Sequence, residues 1–364
     1  MKSSTGEHYI ALDHVRALAA YMVFAWHFNH STDGYPVPFE FVPAVFPLAL
    51  LDEGHTGVAL FMTLSGYLFA KLLDGKSIRY SAFLWNRILR LLPLLVVVVS
   101  IVGARRVLSG DNVFAFMYGI ARGAVLPSLP NGGWSITAEF HYYLILPVLL
   151  WMLRKATWWP LVVVGMAVVL RGVLYWQRDE VQTLAYWTII GRIDQFVIGM
   201  VVYQCRGLFA HRHVLAGGLL TLFALFYWQF DAHGGFLHNP AYPSTNPVWI
   251  ILPTIEATAY AVGISWYEGS FTQSGSGLSR FVGRIGEYSY SIYLLHFFVV
   301  FEAARYVHEH WMDISNFYLA SLWALAFFLL MMPVGYLSFR FIEGPFLRLR
   351  KRYVLGRPVS TQAS

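Results

Sequence analysis

Apolar stretches long enough to cross a lipid bilayer recur along almost the whole chain, and they leave little choice of fold. A helix of about 20 mostly apolar residues covers the ~30 Å hydrocarbon core. Inside lipid, every backbone N–H and C=O must find its partner within such a helix or a closed barrel. Segments at 10–28, 54–73, 88–108, 136–153, 158–176, 184–204, 213–230, 248–267, 288–307 and 317–340 meet the length. They predict an all-α, polytopic membrane bundle of about ten transmembrane helices. The stretch from Asn112 to Val125 is apolar but short and is interrupted by Arg122, so it reads as interfacial or re-entrant; if it spans, the count rises by one. Composition agrees: 13% of residues are charged, against roughly 25% in a soluble domain, so most of the surface does not face water. A single cysteine, Cys205, excludes an internal disulfide framework.

Charge placement sets an expected topology. With the N-terminus in the cytoplasm, one set of loops carries Lys71, Lys76, Arg79, Arg87 and Arg90, then Arg154 and Lys155, Arg206 and Arg212, Arg280 and Arg284. The C-terminal stretch adds Arg340, Arg348, Arg350, Lys351, Arg352 and Arg357. The opposite loops 29–54 and 231–247 have no Lys or Arg. Arg105, Arg106, Arg122, Arg171, Arg178 and Arg305 are exceptions; the alternation otherwise suits ten spans with both termini cytoplasmic and fits an odd count poorly. Asp13, His14 and Arg16 inside the first apolar stretch argue against a cleavable signal. Residues 1–352 read as one transmembrane domain and 353–364 as a polar, disordered cytoplasmic tail.

Ionisable groups within apolar helices are costly, so each is a functional candidate. Arg16 and His27 are eleven residues apart, which is three helical turns plus about 20°, with a rise of about 16 Å. Both therefore lie on one face, half a membrane apart, and are expected to line one interior channel. On residues alone, a buried Arg16–Asp13 pair with His27 capping a helix end fits as well. An imidazole with an ordinary pKa near 6.5 is a workable general base. Arg87 and Arg90, three apart at a helix mouth, suit phosphate oxygens or act only as positive-inside anchors. Glu139 is expected near the depth of His27, one turn into a helix that Ser135 would cap. It orients His27, binds the acceptor's hydroxyls, or pairs with an intramembrane arginine, of which Arg192 is the obvious candidate. Ser65-Gly66 reads first as a close helix-packing pair, and an acyl-serine is the lesser alternative. Arg192 and Asp194 face different directions and need partners on other helices. Ser289, Tyr293 and His296 share a face and are expected to hydrogen-bond within the bundle. The other histidines, among them His8, His14, His211, His213, His233 and His238, show no metal-ligand pattern.

Arg16, ten residues, then His27 matches the R-x10-H pattern of the acyltransferase-3 family of membrane O-acyltransferases. Six more elements resemble that family in order: Phe61 to Leu68 with its Ser-Gly-Tyr-Leu ending, Arg87-Ile88-Leu89-Arg90 before Pro93, Trp134 to Glu139, Gly191-Arg192-Ile193-Asp194 with Gly199, Tyr288 to His296, and Glu343-Gly344-Pro345. Met62-Thr63 departs slightly from the usual pattern. No C-terminal hydrolase-like domain of the kind some members have is read here, so the chain is expected to complete transfer itself or to hand the acyl group on.

The resemblance implies an acyl-CoA-dependent O-acyltransferase of the bacterial cytoplasmic (inner) membrane. Acetyl-CoA would be the donor substrate, with no permanently bound cofactor and no metal. The acceptor would be a sugar hydroxyl of a cell-surface polysaccharide or exopolysaccharide, with a lipid-linked repeat unit as a candidate form. His27, Arg16 and Glu139 become the expected catalytic set. Arg87, Arg90 and Ser65 are expected at the donor, and Trp134, Arg192, Asp194, Tyr293 and His296 in substrate binding or a structural network. Partners would be the bilayer, the donor, the glycan and polysaccharide assembly proteins, with no nucleic acid. A transporter or flippase of a lipid-linked saccharide is the rival reading; no inverted repeat or pair of broken helices is visible to favour it.

Overall fold

A computed structural model describes residues 9–31 and 34–355. They are almost entirely helical: α1 (Ile10–Asn29), α2 (Gly57–Leu73), α3 (Tyr80–Leu108), α4 (Val113–Arg122), α5 (Trp134–Lys155), α6 (Leu161–Arg178), α7 (Ile189–Gln204), α8 (His213–Ala232), α9 (Leu252–Ser270), α10 (Gly277–Leu295), α11 (Val300–Tyr306) and α12 (Phe317–Ser338), joined by short helical turns. Each of the ten apolar segments falls on one or two of these helices. Among the described residues, six helical stretches are long and apolar enough to cross a membrane: 54–73, 80–108, 134–155, 161–178, 213–232 and 317–347. In α1 the polar groups Asp13, His14, Arg16 and His27 dilute the apolar run, and α7 has only 16 residues. The Asn112–Val125 stretch forms α4, capped by the Asn112 side chain, which accepts the Ala115 amide at 3.1 Å. Its ten residues rise only about 15 Å, half of what a span requires.

The bundle packs around α1, α2 and α7. Helices α2 and α7 lie against each other, with α9 and α6 on the outer side of α7 and α10 and α12 against α1. Several crossings are tight enough to demand glycine, two of them most clearly. A Cβ on Gly66 would fall 1.9 Å from the Phe196 carbonyl oxygen, and one on Gly286 would fall 1.9 Å from that of Asp13. Small residues let membrane helices approach to this distance, which accounts for the glycine of Ser65-Gly66. One apolar core fills the space among α2, α3, α5, α7 and α9, and another joins α1 to α10, α11 and α12.

The C-terminal segment departs from expectation. Val354–Leu355 (β2) pairs antiparallel with Ser77–Ile78 (β1), and Tyr353 is 1% exposed against Phe83. The first residues of the expected tail are therefore docked; the remainder of 353–364 lies outside the described residues, as does His8.

Candidate functional site

A cavity of about 210 Å³ lies inside the bundle, walled by α1, α2, α3, α5 and α10 and by the C-terminal segment. Arg16 and Asp13 face it from α1, Ser65 from α2, Asn86, Arg87 and Arg90 from α3, Ser135, Glu139 and Tyr143 from α5, and Glu287, Ser289, Tyr290 and Tyr293 from α10. Arg350 and Tyr353 complete the wall. Helix α3 begins at Tyr80, earlier than its apolar run suggests, so Arg87 and Arg90 sit two turns inside it. Four guanidiniums thus meet in a largely apolar enclosure, where a charge needs an opposite partner or a charged ligand.

Two of the four have partners that the sequence left open. Arg16 donates to Asp13. Arg90 donates to Glu343, which is fully buried on a π-helical turn and also accepts from Ser291. The Glu-x-Pro element is thereby tied to the Arg-x-x-Arg element. Contrary to the expectation that it orients His27 or pairs with Arg192, Glu139 hydrogen-bonds to neither. It accepts hydrogen bonds from Tyr143 one turn on and from Ser65 across the helix interface at 3.3 Å. Ser135 does not cap its helix: it sits within the first turn and donates to Gly132 O at 2.9 Å.

His27 lies past the far end of the cavity. Its Nδ1 is 2.8 Å from the carbonyl of Val23, so this nitrogen carries the proton and Nε2 keeps its lone pair. The imidazole is packed edge-on to Trp26 and Phe297, and Nε2 of His296 lies 3.3 Å from its Nδ1. Between His27 and the cavity stands Tyr293, which donates to Gly132 O at 3.1 Å and lies beside the Phe61 and His296 rings. The passage expected to join Arg16 to His27 ends at Tyr293 and Phe61.

The remaining predicted residues form a separate network behind the cavity. Asp194 accepts both terminal nitrogens of Arg171 (3.1 and 2.7 Å), and both residues are fully buried. Arg192 pairs with Glu256 at 3.5 Å and lies over the rings of Tyr186 and Trp134. Glu256 accepts further bonds from Thr56, Gln195 and Tyr227. The expectation that Arg192 and Asp194 seek different helices holds; the partner of Arg192 is Glu256 in α9.

Sequence reading missed a cluster beyond the end of α1. His30 bridges Val37 O (2.9 Å) and Asp52 (3.0 Å), His55 contacts Glu53 at 2.8 Å, and Glu53 accepts the Phe236 amide at 3.1 Å. Asp231 is buried beside them. Burial pushes the Asp52 carboxyl above its ordinary range, and its hydrogen bond to His30 opposes that. The free space here is only about 10 Å³, roughly one water. Asp52 and Glu53 are neighbours just before α2, whereas Asp231 comes from the end of α8, so no local pattern announces the cluster.

An apolar helix bundle enclosing a cation-lined cavity defines a membrane protein with an internal polar site. Residues 9–340 match the model of a family described as an acyltransferase domain. The chain belongs to this acyltransferase-3 family. Among curated proteins it is similar to the Staphylococcus aureus proteins of strains COL, MSSA476 and MRSA252, each named "Putative O-acetyltransferase". Each is 22% identical over 92% of this chain and 56% of its own length. The chain thus spans about half the length of the curated relatives it matches. No solved structure matches it.

Proposed function

We propose that this protein is an O-acyltransferase that moves an acetyl group from cytoplasmic acetyl-CoA to a sugar hydroxyl of a surface or exported polysaccharide, with His27 as general base. On this reading the chain crosses the bacterial inner membrane ten times, and both termini and the arginine end of the cavity are cytoplasmic. The family supports the reaction class, and the names of the relatives support acetyl as the group moved. The distribution of Lys and Arg supports the orientation.

One observation carries the proposal: a cavity runs from an arginine cluster to a tyrosine that touches the His27–His296 pair. A thioester arm entering from the arginine end would bring its carbonyl toward Ser65, Glu139 and Tyr293. An acceptor hydroxyl approaching from the opposite side would meet Nε2 of His27. The base takes the hydroxyl proton as the oxygen attacks the thioester carbon; the C–S bond then breaks, and coenzyme A leaves as the thiolate. No acyl-serine is required, and Ser65 is occupied as a donor to Glu139. Tyr293 must swing aside for the two ends to meet, which makes it the barrier between compartments.

The test is His27→Ala, checked for membrane insertion, with O-acetyl measured on surface glycan by NMR. Loss of acetyl by about 100-fold or more with normal polymer export supports the enzyme. Lost export with normal acetylation of what is exported overturns it in favour of a transporter.

A further inference from the structure

The four arginines of the cavity divide by whether their charge is answered. Arg16 has Asp13 and Arg90 has Glu343. Arg87 and Arg350 have no salt bridge among the described residues, and each has a buried Nε with no hydrogen-bond partner. The Arg87 guanidinium lies over the rings of Phe69 and Phe83. Arg350 is brought in from the opposite end of the chain. Lys351 N donates to Asn86 Oδ1 at 2.9 Å, Asn86 Nδ2 donates back to Lys351 O at 2.7 Å, and the Arg79 amide donates to Tyr353 O at 2.8 Å. With the β1–β2 pairing, these bonds strap residues 350–355 across the start of α3. Burial, reinforced by the charges of Arg87 and Arg90 and opposed by Tyr353 and Glu343, holds the Arg350 guanidinium down at about 10.

Two half-buried cations that face one cavity repel each other and cost stability unless an anion joins them. Guanidinium forks match phosphate oxygens in pairs. We propose that Arg350, delivered by the C-terminal strap, forms with Arg87 a phosphate-binding site at the mouth of the cavity, and that it holds the phosphate groups of the thioester donor. The assignment to the donor rests on the function proposed above; the phosphate site itself rests on the unanswered guanidiniums. Arg90, committed to Glu343, positions this wall and is not the principal contact. The strap is thus part of the site, because without it one of the two free cations is missing.

Binding of three probes to the full chain in phosphatidylcholine nanodiscs tests this: acetyl-CoA, acetyl-pantetheine and inorganic diphosphate. Arg350→Gln is expected to weaken acetyl-CoA and diphosphate by about tenfold or more, the size of one lost charge-assisted hydrogen bond, while leaving acetyl-pantetheine unchanged. Arg350→Lys keeps the charge and the packing and loses only the fork, so a loss of about threefold is expected from it. The Lys variant serves as the test should the Gln variant not fold. Equal weakening of both thioesters, or no weakening of either, overturns the site while leaving the donor reading intact. Diphosphate binding that depends on Arg350, without any acetyl-CoA binding, keeps the site and sinks the donor reading. Binding of none of the three probes sinks both. If the Arg350 dependence appears only in phosphatidylglycerol nanodiscs, a lipid headgroup owns the site and the donor assignment falls.

Discussion

The cavity of about 210 Å³ and the cluster around His30 are both rich in charge, yet they are built on opposite principles. Around His30, histidines and carboxylates close on one another and leave room for about one water. In the cavity, Arg16, Arg87, Arg90 and Arg350 share the wall with Asp13, Glu139 and Glu287, yet Arg87 and Arg350 form no salt bridge among the described residues and the space stays open. A charge spent on a protein partner supports the fold. A charge left unspent in an enclosed space awaits a ligand. Counting ionisable residues would rank the two regions alike; only their pairing separates them.

The comparison predicts where substitutions damage folding and where they damage binding. Glu343→Gln should have the largest effect on stability, because it leaves Arg90 beside the cavity without its counter-charge. Breaking a buried pair in this way costs about 3–5 kcal/mol, readable as a lower melting temperature in detergent. A normal melt would mean that Arg90, like Arg87, is free for ligand. Arg87→Gln should do the reverse, weakening acetyl-CoA by about tenfold while shifting stability by less than about 1 kcal/mol. Asp52→Asn sharpens the other side. A carboxyl raised in the folded state binds more protons than in the unfolded chain above its ordinary value of 3.8, so its contribution to stability falls as pH rises through that window. The variant should flatten that decline without changing donor affinity, as melting curves from pH 4 upward would show. Tyr293→Phe is the mildest: it removes the bond to Gly132 O, worth about 1 kcal/mol, and should loosen the barrier between the compartments. Leak of acetyl-CoA hydrolysis into water is the readout, and an unchanged hydrolysis rate would show that the hydroxyl does not hold the barrier shut.

Much of the fold was legible because bilayer physics acts locally. Apolar length marks a helix without reference to its neighbours, and all ten segments fall on helices. The site was legible where motif residues are also lining residues, as with Arg16, Ser65, Arg87, Arg90, Glu139 and Tyr293. It was not legible where function depends on pairing. Nothing local tells that Glu256 rather than Glu139 takes Arg192, or that Glu343 claims Arg90. Arg350 was hidden for a further reason: it stands in a basic tail where every residue serves the positive-inside rule equally well.

The sequence by itself determined that this chain is a helical membrane protein with Arg16 and His27 on one helical face, since hydrophobic length and the 3.6-residue period are properties of single segments. Only the tertiary structure decided which charges are answered. Ion pairs form between residues as far apart as Arg90 and Glu343, and the helix packing that brings them together is not written in either one. The same packing placed Tyr293 between the cavity and His27, and folded the C-terminal segment back to supply Arg350.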